Sequence, residues 1–347
     1  MFPVKAYAAL TPISALVPFD FERRDLRDHD ILLDIQYSGV CHSDLHQARD
    51  EWGGSIYPMV PGHEIVGKIA EVGKNVKKFK VGDTAGVGVM VDSCRVCKPC
   101  SDLTEQYCVE GITGTYNGME RDKVTMAQGG YSSNIVTDER YVYHVSSNMD
   151  LAATAPLLCA GITTYSPLRY ANAGAGMKVG IIGLGGLGHM GVKFAVSFGA
   201  DVTLISHTSS KQKDAERLGA HNFILSTDEK QMKNADSSFD ILLNCVSANH
   251  DYGNYLKLLD LHGKMLVVGL PAENPKISPF ALIRNRRSIT GSMIGGTVET
   301  QEMLDYCAEK NIVSDVEVIP MQYINEAYER VIKNDVKYRF VIDVKSL

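Results

Sequence analysis

The sequence predicts an α/β chain in which a doubly wound parallel-sheet domain accompanies a β-rich one, and three observations carry that reading. The chain has 347 residues, and at ~150 residues per domain that length predicts two domains. From Lys178 onward, apolar runs alternate with amphipathic stretches at a spacing of roughly twenty residues, the rhythm of repeated βα units. Before Asp150 the apolar segments are short, alternating and punctuated by Gly and Asp, as in an all-β unit with long loops.

Taken in order, the first strands are predicted at Val4-Lys5-Ala6-Tyr7 and over 31–37. Two more follow over 65–72 and 87–91, separated by the turn signals Gly73-Lys74-Asn75 and Val81-Gly82-Asp83. Leu158, Ile162, Tyr165 and Leu168 then recur at helical spacing. Strands are predicted to begin near Lys178, Val202, Asn222, Phe239, Lys264 and Arg287. Helices over 299–310 and 324–333 and a closing strand over 337–344 complete the chain, with no low-complexity segment.

Hydrophobic residues make up 45% and charged residues 22%, a globular balance that excludes disordered, collagen-like and coiled-coil chains. The net charge of −6 comes without a basic cluster, which argues against a nucleic-acid partner. The longest uncharged stretch, 151–168, holds Pro156, Gly161 and Pro167 and suits a buried element, so no membrane partner is expected. Residues 6–19 are broken by Pro12 and Pro18 and run into Glu22-Arg23-Arg24, which reads as mature sequence and not as a leader. Of eight Cys, four crowd between 94 and 108, a pattern of metal binding in a reducing compartment, so a cytoplasmic location is expected.

The run Met177-Lys178-Val179-Gly180-Ile181-Ile182 reads as a buried strand and feeds Gly183-Leu184-Gly185-Gly186-Leu187-Gly188 before a helical stretch to Phe198. In that context the glycine pattern is a dinucleotide-binding fingerprint. Gly183 allows the tight turn, Gly185 lets backbone N–H groups approach a pyrophosphate, and Gly188 lets helix and strand pack closely. A site specific for NAD would carry Asp or Glu at the end of the next strand. This chain reads Ser206-His207-Thr208-Ser209-Ser210-Lys211 there. Hydroxyls and a lysine accommodate a 2′-phosphate that a carboxylate would repel, so NADP(H) is expected, the bland alternative being a solvated polar loop.

Cys94-x2-Cys97-x2-Cys100-x7-Cys108 offers four thiolates within one loop, a closed tetrahedral shell for a structural Zn²⁺. Its formal charge of −2 would be moderated by the flanking Arg95 and Lys98. The spacing does not match ferredoxin runs, which argues against an iron–sulfur cluster. Three further positions are candidates for an open site: Cys41 in Gly39-Val40-Cys41-His42-Ser43-Asp44, His63 in Pro61-Gly62-His63-Glu64, and Cys159 in Leu157-Leu158-Cys159-Ala160-Gly161. Spacing alone does not bring them together; singly, Cys159 reads as core and His63 as a satisfied structural histidine.

The run Gly62-His63-Glu64-x2-Gly67-x5-Gly73-x2-Val76, the four-cysteine loop and Gly183-x-Gly185-x2-Gly188, in this order, resemble the zinc-dependent alcohol dehydrogenases of the medium-chain superfamily. Within them the chain is most similar to the cinnamyl alcohol dehydrogenase group, through Cys41-His42-Ser43-Asp44-Leu45-His46, Tyr57-Pro58-Met59-Val60-Pro61-Gly62-His63-Glu64, Leu157-Leu158-Cys159-Ala160-Gly161-Ile162-Thr163 and Gly291-Ser292-Met293-Ile294-Gly295. The likeness spans nearly the whole chain.

The resemblance implies a GroES-like catalytic domain over 1–151 and 290–347, a Rossmann domain over 152–289, and an active site in the cleft between them. It implies a catalytic Zn²⁺ on Cys41, His63 and Cys159, with Glu64 beside the metal as an occasional ligand and Asp44 orienting His63. Ser43 would begin a proton relay ending at His46; without the resemblance, Ser43 reads as a helix N-cap and His46 as a surface histidine. Thr163, Gly269, Ser292 and Ile294, with Cys245 nearby, would line the nicotinamide end of the cofactor site, and Trp52, Met90, Met293 and Ile294 would wall the substrate pocket. The chain departs from plant members at Thr113-Gly114-Thr115, which supplies no large aromatic side chain and suggests a roomier pocket. The function implied is reversible NADP(H)-linked reduction of aromatic or medium aliphatic aldehydes to primary alcohols by a homodimer with two Zn²⁺ per chain. The alternatives are an NAD-linked polyol dehydrogenase and a catalytically silent binding protein that keeps the cofactor fold.

Overall fold

The computed structural model describes all residues, 1–347. They divide into two compact units, one of Met1–Ile162 with Gly295–Leu347 and one of Thr163–Ile294. Both chain ends thus build one unit, as the resemblance implies, but residues 152–162, expected in the cofactor domain, belong with the chain ends, and residues 290–294, expected with the chain ends, belong with the other unit. For residues 152–162 the reason is local. Asp150 caps the helical turn Leu151–Thr154 by accepting from Ala153 N at 2.9 Å, and Ala153 O accepts from Ser314 N at 3.0 Å, which ties the segment to the C-terminal part of its own unit.

The first unit is built on a seven-stranded sheet. Its order is Val142–His144, Thr84–Val87, Ile65–Val72, Asp30–Gly39, Arg339–Asp343 and Val316–Pro320, with Asn134–Asp138 also paired to Asp30–Gly39. Every pairing is antiparallel except the last, between Val316–Pro320 and Arg339–Asp343. Asp30–Gly39 is the spine. Ile31, Leu33 and Ile35 pack with Ile65, Ile69, Val87, Phe340 and Ile342 in one apolar core. An antiparallel pair, Phe2–Ala8 with Val17–Arg23, adds to this unit.

Residues 87–91 do not form the single strand expected. Thr84–Val87 stays in the large sheet, whereas Met90–Asp92 pairs with Thr113–Gly114, because the chain leaves the sheet there to frame the cysteine loop. The helical spacing from Leu158 is also interrupted. A 3₁₀ segment with Pro156 in its first turn runs over Ala155–Leu158, Cys159 adopts φ −130° and ψ −69°, and the regular helix begins at Ala160.

The second unit holds a six-stranded parallel sheet in the order Asn222–Leu225, Asp201–Ser206, Lys178–Ile182, Phe239–Asn244, Leu259–Val267, Ser288–Gly291. Numbered within the unit this is 3-2-1-4-5-6, the doubly wound order whose ligand crevice lies where the order reverses, beside Lys178–Ile182 and Phe239–Asn244. Val179, Ile181 and Ile182 are buried, as are Ile241, Leu242 and Leu243, matching a sheet covered on both faces. No single helix in the molecule is long and apolar enough to cross a membrane.

Candidate active site

The glycine loop sits at the reversal point. Gly183 follows Lys178–Ile182 with φ +88°, a left-handed turn that favours glycine. Gly185 precedes the helix Gly186–Ser197, and a Cβ built on it would meet nothing within 4 Å, so its backbone is open to a ligand. A Cβ on Gly188 would lie 2.0 Å from Gly183 O, so only glycine lets the helix start close against the strand. Leu184, Gly186 and Leu187 complete the loop at the helix N-terminus, where unpaired N–H groups favour an anion.

The next strand, Asp201–Ser206, ends at buried Ser206, whose Oγ accepts from Thr208 N at 3.3 Å. His207, Ser209 and Ser210 are exposed, and Lys211 ends a 3₁₀ turn that begins at Ser209. No carboxylate side chain occurs from Val202 to Lys213. At the strand ends beyond, Cys245 N donates to Ile182 O, Gly269 N to Asn244 O and Ser292 N to Val267 O. Desolvation pushes the Cys245 thiol well above its ordinary range. Thr163 is buried, and Ile294 adopts φ +39°.

In the first unit, Cys94, Cys97, Cys100 and Cys108 converge. Their sulfurs stand 3.4 Å (97–100), 3.8 Å (94–100) and 4.0 Å (97–108) apart. A zinc–sulfur bond of about 2.3 Å in tetrahedral geometry requires about 3.8 Å between sulfurs, so the set fits Zn²⁺. Cys94 N and Cys97 N direct N–H groups at Cys108 Sγ and Cys94 Sγ, and Ser93 Oγ lies 3.1 Å from Cys100 Sγ. The expected charge partners are different. Arg95 is engaged by Asp92 and Asp138 and Lys98 by Asp102, while Arg121 reaches Cys108 Sγ at 3.9 Å.

Cys41, His63, Glu64 and Cys159 form a second cluster, with one potential ligand atom from each lying within 4.8 Å of the others. Cys41 directly precedes the short helix His42–Ala48 and Cys159 occupies the break before Ala160; His63 and Glu64 lead into Ile65–Val72. Asp44, fully buried, accepts from His63 Nδ1 at 2.9 Å and from Gly62 N at 3.0 Å on Oδ1, and from Cys41 N at 2.9 Å and Tyr131 Oη at 3.2 Å on Oδ2. With Nδ1 so engaged, Nε2 is left to be the ligand. Burial lowers the His63 pKa, but the Asp44 carboxylate, by charge and hydrogen bond, raises it well above the ordinary histidine value. The hydrogen bond with Cys159 holds the Cys41 thiol well below its ordinary range, with buried Arg339 contributing.

Glu64 Oε1 pairs with Arg339, while buried Oε2 has no hydrogen-bond partner. Burial pushes the Glu64 carboxyl up to about 8 against the pull of Arg339. Two thiols, an imidazole nitrogen and an unpartnered carboxylate oxygen are a donor set suited to zinc with an exchangeable position. Arg339 escaped the sequence reading; its signal is a lone cation in the apolar strand Arg339–Asp343. Tyr131 and Tyr116 also escaped it, and the Tyr116 ring lies 5.9 Å from that of His63, so an aromatic stands beside the site one residue after Thr115.

The helix N-cap is Cys41 and not Ser43, which lies in the first turn with Oγ 3.7 Å from Cys41 Sγ. His46 Nδ1 is 2.5 Å from Glu51 Oε2, and its ring is 5.2 Å from that of half-exposed Trp52. Met90 is buried in the core of the first unit, while Met293 is half-exposed in the second.

The chain matches the family described as Alcohol dehydrogenase GroES-like domain over residues 27–147 and that described as Zinc-binding dehydrogenase over 186–309. It is 52% identical to NADP-dependent alcohol dehydrogenase C 1 of Mycolicibacterium smegmatis, over 100% of this chain and 99% of that protein. It is 51% identical to cinnamyl alcohol dehydrogenase 2 of Rauvolfia serpentina, over 99% and 96%. The solved structure of CAD from Helicobacter pylori complexed with NADP(H) superposes with a TM-score of 0.93 at 43% identity, covering 99% of each chain. With the two cysteine clusters and the glycine loop already in place, these likenesses show that the chain belongs to the zinc-dependent alcohol dehydrogenases of the medium-chain superfamily, in the cinnamyl alcohol dehydrogenase group.

Proposed function

We propose that the chain catalyses reversible NADP(H)-linked reduction of aldehydes, aromatic or medium aliphatic, to primary alcohols. The observation that carries this reading is the convergence of Cys41, His63 and Cys159 around one point, with Asp44 fixing the histidine, in a chain half identical to NADP-dependent alcohol dehydrogenases along its whole length. Polyol oxidation with NAD is disfavoured by the absence of a carboxylate after Asp201–Ser206, and a silent binding role by the intact donor set.

When bound, zinc at this site supplies a Lewis acid for the substrate oxygen, and NADPH supplies the hydride. Cys41 and Cys159 would hold the ion as thiolates and cancel its charge, and His63 would hold it through Nε2 while Asp44 keeps the proton on Nδ1. Glu64, anchored by Arg339, would offer Oε2 as an alternative ligand. We assign to Ser43 Oγ the proton that reaches the substrate oxygen, and to His46, braced by Glu51, its exchange with solvent. Gly183, Gly185 and Gly188 admit the pyrophosphate, and Ser206, Thr208, Ser209, Ser210 and Lys211, with His207 among them, receive the 2′-phosphate. We assign Thr163, Cys245, Gly269, Ser292 and Ile294 of the second unit to the nicotinamide end, and Trp52, Met90 and Tyr116 of the first unit to the substrate wall.

We further infer a homodimer, supported by the family, working in the cytoplasm. The latter is supported by eight cysteines held as thiols, six of them in the two metal sets.

The test is NADPH oxidation with benzaldehyde-type, cinnamyl-type and aliphatic aldehydes, set against sorbitol oxidation with NAD, before and after zinc removal. Aldehyde reduction that is lost with chelation and restored by zinc is expected; sorbitol oxidation alone, or aldehyde turnover indifferent to chelation, would overturn the reading.

A further inference from the structure

Behind the proposed catalytic site lies a buried phenol that the mechanism above does not use. Tyr131 is fully buried in the core of the first unit, and its Oη stands 3.2 Å from Asp44 Oδ2. Asp44 is itself fully buried and accepts from Gly62 N and His63 Nδ1 on Oδ1 and from Cys41 N and Tyr131 Oη on Oδ2, with the Tyr116 phenol also close to it. Both groups are sealed from bulk solvent, and a buried carboxylate that loses a donor rebalances toward those it keeps.

The phenol is held where it is by its own segment. Tyr131 N donates to Pro61 O, Gly129 N to Val60 O and Gly130 N to Gly62 O, so residues 129–131 run alongside the residues that lead into His63. Buried Arg23 clamps the other side of that segment, donating to the carbonyls of Gln128, Gly129 and Asn134 and to Ser132 Oγ at 2.7–3.1 Å. Tyr328 is packed beside the phenol and is buried too. Burial, and then the negative charge of Asp44, raise the Tyr131 pKa well above that of an ordinary tyrosine, so the hydroxyl stays a donor across the working range.

We infer that Tyr131 is a positioning residue of the catalytic zinc, its hydroxyl fixing the Asp44 carboxylate so that Asp44 presents His63 to the metal in one orientation. The line runs Tyr131 Oη, Asp44 Oδ2, Asp44 Oδ1, His63 Nδ1, and ends at the ring nitrogen that ligates. This rests on the assignment of Cys41, His63 and Cys159 as zinc ligands, which is checked separately by finding two zinc ions per wild-type chain. Partners of this kind typically affect metal affinity by about 10- to 100-fold, and one step further from the metal the effect should be smaller.

The experiment is Tyr131→Phe in the zinc-loaded holoenzyme, with zinc release to 1,10-phenanthroline followed in time. The phase belonging to the catalytic ion is identified by its absence in Cys159→Ala. We expect that phase to quicken by roughly three- to tenfold, the release of the four-cysteine zinc to be unchanged, and the thermal midpoint to move little, since only one oxygen is removed. On an Asp44→Asn background the same change should add nothing, because the path through the carboxylate is already cut. An unchanged catalytic phase would overturn the inference, as would equal acceleration of both ions or the same acceleration on the Asp44→Asn background. Fewer than two zinc ions in the wild type would instead overturn the site assignment on which it rests.

Discussion

Glu64 and Arg339 show how a side chain can be legible in kind but not in company. The resemblance singled out Glu64, yet its counter-ion lies 275 residues away on the closing strand, and nothing in the spacing of either residue reports the pair. Cys41, His63 and Cys159 are the same case; only the resemblance joined them, because a tertiary contact has no sequence period. The residues after the second parallel strand are proposed for the 2′-phosphate on local chemistry alone, with hydroxyls and a lysine where a carboxylate would repel it. Replacing Ser206 by Asp and Lys211 by Glu should therefore lower the NADPH-to-NADH ratio of kcat/KM by about 10- to 100-fold, the equivalent of about 1.5–3 kcal/mol in charge-assisted hydrogen bonding; steady-state kinetics with both cofactors checks it. Protonation supplies a second prediction. Because the His63 pKa is raised well above the ordinary value, a proton competes with zinc for Nε2 from well above neutral-histidine pH downward. Zinc affinity at this site should thus fall steadily as pH falls through that range, and zinc competition titrations at several pH values would show it.

At the scale of elements, the glycine loop was fully legible because each glycine answers to a local backbone requirement. Gly188→Ala places a Cβ 2.0 Å from Gly183 O, so helix and strand must separate; NADPH should bind at least about tenfold more weakly, an outcome that fluorescence titration would detect. The four-cysteine loop was equally readable, since all its ligands fall within fifteen residues. Its charge partners were not: adjacency suggested Arg95 and Lys98, but local carboxylates claim both and Arg121 arrives from a later turn. Cys100→Ser should leave one zinc per chain and cost at least about 2 kcal/mol in unfolding free energy, the scale of a lost metal site, measurable by metal analysis and denaturation. Periodicity failed at Cys159, where the helical pattern continues through a backbone break that turns the thiol toward Cys41. A side-chain period cannot register a change in φ and ψ.

For the whole molecule, the sequence implied a doubly wound parallel sheet and a second domain built from both chain ends, while the order 3-2-1-4-5-6 and the pairing of Arg339–Asp343 with Asp30–Gly39 come from the structure. The division point differs. The resemblance implied a cofactor domain that starts at 152, whereas capping by Asp150 and the bond from Ser314 tie that segment to the zinc-carrying unit, which extends to Ile162. That placement puts all four members of the second cluster in a single compact unit, so the metal site belongs to one core. The proposed chemistry requires an ion at that point. Crystals of the zinc-loaded protein, measured by anomalous scattering on either side of the zinc edge, should give two peaks per chain, one inside Cys94, Cys97, Cys100 and Cys108 and one bonded to Cys41 Sγ, His63 Nε2 and Cys159 Sγ. A single peak confined to the four-cysteine loop, with those three side chains turned apart, would contradict it.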